Sequence, residues 1–399
     1  MRTDWLFILM TMATLPAQTN QNPDPPEIRL FLCGDVMTGR GIDQVLPHHV
    51  PPVLYESYVK DARHYVESAE RVSGPVPRPV SYDYIWGIAL EEFRLRDPDL
   101  KLINLETSIT SSEDFWKGKE VHYRMHPGNL PVLQAAGIGC VTLANNHTLD
   151  WGPDGLEETL RTLKDAGIPF TGAGLNAREA HAPASCMVGD TRITVFGVGM
   201  AGSGIPSSWE AGASRPGLFV VSDLTEQSLQ RVGEAIGRHA KPEDIVIVSI
   251  HWGGNWGYEI PQAQRNFARR LVDDFGADLV HGHSSHHVKG IEVYRGKLIL
   301  YGCGDLITDY EGISGHESYR GDLGLMYFPT LSVQDGRLLS LELVPTRMER
   351  FQLVRPKARE VQYLQDLLNR EGSAAGLRFE KNEAGGLRLK WPVGGRSRQ

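Results

Sequence analysis

Residues 245–251 read Ile-Val-Ile-Val-Ser-Ile-His, a largely aliphatic run that stops at an imidazole. A β-branched or aliphatic run closed by a polar residue or glycine reads as a buried strand. The same figure occurs four more times. Residues 28–33 run into Gly34-Asp35, residues 100–105 into Glu106, residues 141–144 into Asn145-Asn146-His147, and Leu279-Val280 into His281-Gly282-His283. In open α/β sheets the carboxyl ends of the strands share one crevice, and ligands bind there. Carboxylates, carboxamides and imidazoles with no thiolate among them suit a hard or borderline divalent cation. The pattern predicts a metal-dependent site on an α/β scaffold.

The segments between these runs supply the helices. Residues 153–166 open with Pro153, place Leu156, Leu160 and Leu163 on one face and stop at Gly167. Residues 224–236 and 261–275 repeat the pattern, the latter with Phe267, Leu271 and Phe275 at helical spacing before Gly276. Strands are expected at 193–198 and 297–301, the second ending in Gly302-Cys303-Gly304-Asp305. A hairpin is expected from 325–331 and 338–344 around Gln334-Asp335-Gly336. Strands alternating with helices are the grammar of a layered α/β domain.

Three stretches stand apart. Residues 43–97, with the Gly-Pro-Val-Pro-Arg-Pro loop at 74–79, read as an insertion framing the cleft. The Gly-, Ser- and Pro-rich residues 203–217 read as a rim loop. Residues 354–399 read as a peripheral polar helix (358–368) and a basic tail. At the other end, residues 1–26 hold a short apolar block behind Arg2 and a Pro-rich spacer. They read as a signal-like or a disordered leader, and the first implies export rather than a cytoplasmic location. The main domain then spans 27–353.

The chain has 399 residues and a formal charge of −8, which argues against nucleic-acid binding, since that calls for a basic face. No apolar stretch approaches the ~20 residues that span a bilayer. Cys33, Cys140, Cys186 and Cys303 each sit in or beside an apolar run, without Cys-x-x-Cys spacing, and read as buried thiols. There is no Gly-x-Ser-x-Gly elbow and no Gly-x-x-x-x-Gly-Lys-Ser/Thr loop.

Within the constellation, the Asn145-Asn146-His147 block is the most specific, because two carboxamides and an imidazole are costly to bury without partners. His281, His283, His286 and His287 form the second cluster, and alternating histidines at a strand end can address two adjacent ions. Trp252-Gly253-Gly254-Asn255-Trp256 after His251 suits a site wall.

Taken together the motifs resemble a family. Gly34-Asp35-Val36-Met37…Arg40, Asn104-Leu105-Glu106-Thr107, Tyr123-Arg124, Ala144-Asn145-Asn146-His147…Asp150…Gly152, Gly172-Ala173-Gly174 and His251-Trp252-Gly253 are similar to the CapA family, over about residues 28–310. Its members are named for bacterial capsule and poly-γ-glutamate biosynthesis and belong to the calcineurin-like metallophosphoesterase superfamily. The resemblance implies a four-layer α-β-β-α sandwich with one or two divalent ions (Mn, Zn, Fe or Mg) at the strand ends. It implies Asp35, Glu106, Asn146 and His251 as ligands, with further ones among His281, His283 and His286. His147 would be the acid or anion-stabilising group, with Asp150 and Arg124 beside it in the catalytic set. Departures are Asp35-Val36-Met37 for the superfamily's Asp-x-His and Cys303-Gly304-Asp305-Leu306 for the family's Leu-Gly-Asn-Phe.

The activity so implied is metal-dependent hydrolysis or transfer at a phosphoryl or amide centre, on an envelope polymer or a small phosphorylated or γ-glutamyl substrate. The alternatives are a general phosphoesterase, and a non-catalytic polymer-handling partner of a membrane synthase.

Overall fold

The structure, a computed structural model, describes residues 26–372 and 375–392. The expected leader, Pro26 apart, lies outside the described residues.

Two sheets face each other. The first runs, in spatial order, Arg378–Lys381, Leu387–Lys390, Leu338–Glu349, Leu323–Ser332, Glu27–Val36, Leu100–Leu105, Cys140–Thr142 and Phe170–Thr171. Its last four strands are mutually parallel. The second runs Val220–Val221, Thr191–Met200, Ile245–His251, Leu279–His283, Lys297–Leu300 and Ile291–Tyr294, parallel up to its antiparallel final pair, with Ala184–Val188 also pairing antiparallel along Thr191–Met200.

Side-chain alternation assigns each strand residue to one of three apolar layers. Leu30, Leu32, Leu102, Ile245, Ile247 and Leu279 fill the space between the sheets. Phe31, Ile103 and Val141 face outward and meet Leu156, Leu160 and Leu163 of the helix Gly152–Asp165. On the other side, Val246, Val248 and Val280 meet Leu229 and Val232 of Glu226–His239, and Phe267 and Leu271 of Gln262–Phe275. The layers are therefore helix, sheet, sheet, helix, the expected α-β-β-α sandwich. Among the described residues, no helix is long and apolar enough to cross a membrane. All four cysteines are buried and free.

Two stretches differ from the reading of the sequence. Residues 43–97 carry the helices Arg63–Ser73 and Ile88–Arg96, and their Val66, Trp86 and Phe93 are part of the outer apolar layer rather than an insertion beside it. The Pro-rich loop at 74–79 masked this contribution. The C-terminal segment is not peripheral either. The helix Ala358–Gly372 buries Leu364, Leu367 and Leu368 against the inter-sheet core, and the hairpin Arg378–Lys381/Leu387–Lys390 adds two strands to the first sheet. Each of those strands is four residues long, and only Phe379, Leu387 and Leu389 mark the buried face, so glycines and charges dominate the pattern. In the expected rim loop at 203–217, Ile205 and Trp209 are buried anchors.

Candidate metal centre

The alternation that builds the core also aims the polar strand ends. Ile245 and Ile247 face the other sheet, so Ser249 and His251, two and four residues on, continue on that side. Leu279 does the same for His281 and His283. His251 and His283 are register partners on adjacent parallel strands, and their Nδ1 atoms are 2.8 Å apart. Ser249 ties the layers together, its Oγ lying 3.0 Å from His281 Nδ1, 2.9 Å from His283 Nε2 and 3.3 Å from Thr142 Oγ1 of the facing sheet.

Asp35 reaches the same face only through a bulge. Phe31 and Cys33 point to the helices, and unbroken alternation would send Asp35 after them. The register changes from Leu32↔Leu102 to Asp35↔Asn104, three residues advancing against two, which turns Asp35 inward beside Asn104. Asn104 Nδ2 donates to Asp35 Oδ1 at 2.7 Å. Gly34 forms the bulge because nothing larger fits: a Cβ there would lie 1.5 Å from the carbonyl oxygen of Gly304. That carbonyl accepts from Asp35 N at 3.0 Å, so it has little freedom to retreat. Gly34→Ala is expected to cost more than about 3 kcal/mol, beyond ordinary overpacking. A denaturant melt matching wild type within about 1 kcal/mol would show that the bulge tolerates a side chain.

Asp35 belongs to two groups of potential ligands at once, Asp35–His251–His283 and Asp35–His286–Asp305, each with its donor atoms within 4.8 Å of one another. Asp305 is the register partner of Asp35 on its other side, and His286 Nδ1 lies 3.1 Å from Asp305 Oδ1. Burial and the Asp305 charge push the Asp35 carboxyl up to about 7. Burial and the charges of Asp35 and Asp305 raise Glu106 well above the carboxylate range. Burial holds His251 and His283 well below the usual imidazole range, in the neutral form that coordinates metals. Two buried side-chain oxygens here have no partner, Asn146 Oδ1 and Asp305 Oδ2. Crowded carboxylates, neutral imidazoles and orphaned oxygens all fit a dication, which supplies the missing partner and positive charge.

His147 sits beside this cluster, its Nε2 3.9 Å from Glu106 Oε1. Its Nδ1 is 2.6 Å from Asp150 Oδ2 and 3.1 Å from Lys119 Nζ, and its ring stacks on Tyr123 at 3.8 Å. Lys119 also donates to the Asn146 carbonyl and to Asp150 Oδ1. Tyr123 N donates to Asp150 Oδ2 at 2.7 Å. The imidazole is thus clamped on its Nδ1 side and on one face, which leaves Nε2 directed toward the carboxylate cluster.

The structure brings Asp35, Glu106, Asn146, His147, Asp150, His251, His283 and His286 together. Glu106 adjoins the two triads without completing either, and the Asn146 side chain lies beside Gly204, next to Ser203, whose Oγ donates to the His251 carbonyl. His281 stands behind them, both ring nitrogens occupied by Ser249 Oγ and by the Cys33 carbonyl at 2.6 Å. Arg124, expected in the catalytic set, contacts none of these groups. Its guanidinium donates to the carbonyls of Ser112 and Pro51 and lies over the Trp151 ring at 3.7 Å. It lies on the strand Arg124–Met125, paired to Ser108–Ile109, which directs it away from the strand ends of the main sheets.

Two participants escaped the sequence reading. Asp305 follows a strand and a glycine as Asp35 does, and that repeat of Gly-Asp was the available signal. Lys119 comes from an irregular loop between Asp114 and Val121, with nothing in its neighbourhood to mark it.

The family described as bacterial capsule synthesis protein PGA_cap matches residues 29–310. The chain belongs to that family. A probable polyglutamine synthesis accessory protein of Mycobacterium tuberculosis is 44% identical over 357 residues, 89% of this chain and 94% of the relative. The PGA biosynthesis protein CapA of Bacillus subtilis is 27% identical over 279 residues, 69% of this chain and 62% of its own length. The capsule biosynthesis protein CapA of Bacillus anthracis is 23% identical over 308 residues, covering 76% and 64%. The PGA_cap match takes in every residue of both triads, whereas the C-terminal helix and hairpin fall outside it.

Proposed function

We propose that this PGA_cap protein is an exported, metal-dependent hydrolase or transferase of poly-γ-glutamate or capsule synthesis. The observation that carries the proposal is the sharing of Asp35 between two ligand triads. One carboxylate between two triads is the arrangement expected where two ions clamp a tetrahedral or phosphoryl centre. Divalent ions held by Asp35, His251, His283, His286 and Asp305, with Glu106 and Asn146 in reach, would supply Lewis-acid polarisation and neutralise developing negative charge.

The residues of the chain do the rest. Asp150 Oδ2 and Lys119 Nζ flank His147 Nδ1 and fix the ring so that Nε2 faces the centre. Burial and the Lys119 charge keep the imidazole neutral. With Nδ1 accepting from Lys119 the proton sits on Nε2, where it can donate to a developing anion on the leaving group. Tyr123 stacked on that ring, with its hydroxyl 2.7 Å from Tyr310 OH, closes the site on one side. The proposed substrate is a γ-glutamyl or phosphorylated envelope component, and the proposed partner is a membrane synthase. The second reading, a partner of the synthase without turnover, draws on the word "accessory" in the name of the mycobacterial relative.

Metal analysis of the purified chain, paired with turnover of aryl phosphates and γ-glutamyl peptides, separates these readings. About two divalent ions per chain and metal-dependent turnover of either substrate are expected. Bound metal without turnover of both would favour the accessory role, and a chain that takes up no divalent ion would overturn the metal centre.

A further inference from the structure

Tyr123 and Tyr310 approach the metal cluster from two ends. The Tyr123 ring stacks on His147 at 3.8 Å, and the Tyr310 ring meets His286 edge-on at 5.5 Å. His147 lies beside Glu106, and His286 belongs to the second triad. Joined through their hydroxyls, 2.7 Å apart, the two rings bridge from one imidazole to the other. A phenol carries one proton and can also accept. Two phenols bonded to each other therefore hold two protons and use one. Among the described residues neither hydroxyl has another hydrogen-bond partner, so the pair keeps one O–H to give.

Both tyrosines are held before any substrate arrives. Tyr123 N donates to Asp150 Oδ2 at 2.7 Å, and the Arg40 guanidinium lies 4.8 Å from the Tyr123 ring centre. The same guanidinium donates from Nε to Asp309, the residue before Tyr310, at 3.1 Å, and Gly41 N donates to that carboxylate at 2.9 Å. One buried cation thus fixes both partners of the pair. Tyr123 is 3% exposed whereas Tyr310 is half-buried, so the pair is reached from its Tyr310 side. Burial, as the main cause, pushes both phenols well above their usual range, so each stays protonated and can donate. A donor fixed in advance needs no reorganisation when negative charge develops beside it.

We propose that Tyr123 and Tyr310 act as one hydrogen-bond donor to an anionic oxygen of the group held at the metal centre, either a phosphoryl oxygen or the oxyanion of a tetrahedral amide intermediate. The inference rests on the proposed function for the ions and adds to it a donor made by this chain. With His147 Nε2–H directed at the leaving group, the hydroxyl pair is the further donor available to a remaining oxygen. No proton is transferred: the phenol donates and the oxyanion accepts. Sharing one free proton gives the pair a signature. Whichever hydroxyl faces the anion, its replacement by Phe removes the donation, while replacing the other removes only its support. Removing both takes away no second donor.

Calorimetry with inorganic phosphate on the metal-loaded full chain, after elemental analysis of the same sample, reads that signature. Of Tyr123→Phe and Tyr310→Phe, one should weaken phosphate binding about 10- to 100-fold, the scale of a hydrogen bond to a charged group, and the other less. The double variant should lose no more than the weaker-binding single variant. Metal content and melting temperature should stay near wild type, because both rings remain. Tyr65→Phe is the control. Its hydroxyl donates to Glu56 and its ring packs on the same Arg40 at 3.8 Å, so the change disturbs that buried cluster away from the centre and should leave phosphate binding as in wild type. Wild-type phosphate affinity in the double variant, losses that multiply from the singles to the double, or an equal loss in Tyr65→Phe would overturn the shared donor. So would a loaded wild-type chain that binds no phosphate. A chain that takes up no divalent ion is a different failure, read before any phosphate is added, and it overturns the proposed function itself.

Discussion

Asp35→Asn is expected to lower divalent-metal affinity by more than about 100-fold and to empty both positions, a larger loss than outer-contact substitutions give. The asymmetry among the ligands makes this specific. Asp35 serves both triads, whereas His251 and His283 serve one and His286 and Asp305 the other. His251→Ala and Asp305→Asn should therefore each leave about one ion per chain, while Asp35→Asn leaves close to none. Asparagine matches aspartate in shape, and the bulge at Gly34 is untouched, so the metal-free variant should fold. Three carboxylates, those of Asp35, Glu106 and Asp305, crowd the metal-free site. Neutralising one relieves repulsion, so the metal-free variant should melt no lower than the metal-free wild type. Elemental analysis after dialysis, with a melting curve on the same sample, reads both quantities. Equal loss of metal in all three variants would mean that the ions bind as a unit. Retention of both in Asp35→Asn would place the ligands elsewhere.

The sequence made this centre legible to the extent that polar residues ended apolar runs. His251 and His283 follow alternating strands whose parity already sends them toward the facing sheet, and the four-layer packing follows from that same alternation. The direction of Asp35 is only half legible. Its position after a strand and a glycine was plain, but the inward direction depends on one extra residue in the pairing with Leu100–Leu105, a long-range register that no local pattern carries. His281 was over-counted because spacing alone cannot separate a ligand from the imidazole that supports it. Only the contacts of its two nitrogens, to Ser249 and Cys33, do so. Arg124 follows Tyr123 in the sequence, but the Tyr123 ring stacks on His147 while the Arg124 guanidinium turns to the Ser112 and Pro51 carbonyls, a divergence that no local pattern carries. Lys119 and the C-terminal hairpin went unseen for a shared reason, since an irregular loop and two strands of four residues carry too little periodicity to register.

His147→Asn is the second large effect expected, a fall of about 10²–10⁴-fold in kcat with metal content and melting temperature near wild type. The imidazole belongs to neither triad, so its loss should not release an ion. Its Nδ1 is committed to Asp150 and Lys119, and its face to Tyr123, so only Nε2 can act on a substrate. Those contacts also explain why a structural role competes with the catalytic one. Asp150 holds three groups together, accepting from Tyr123 N and Lys119 and facing His147, and a network of that kind often exists to order a loop. Asparagine retains a polar group near Asp150 but cannot carry a proton to a leaving group, so it separates the two roles. Asp150→Asn supplies the complementary comparison. It leaves the imidazole in place but removes the charge that orients it, and should lower kcat by less than His147→Asn while unsettling the loop more. A His147→Asn chain that loses its ions or unfolds, while its folded fraction turns over at the wild-type rate, would make His147 structural. A collapsed kcat on an intact two-ion chain would leave proton donation or anion stabilisation as its role.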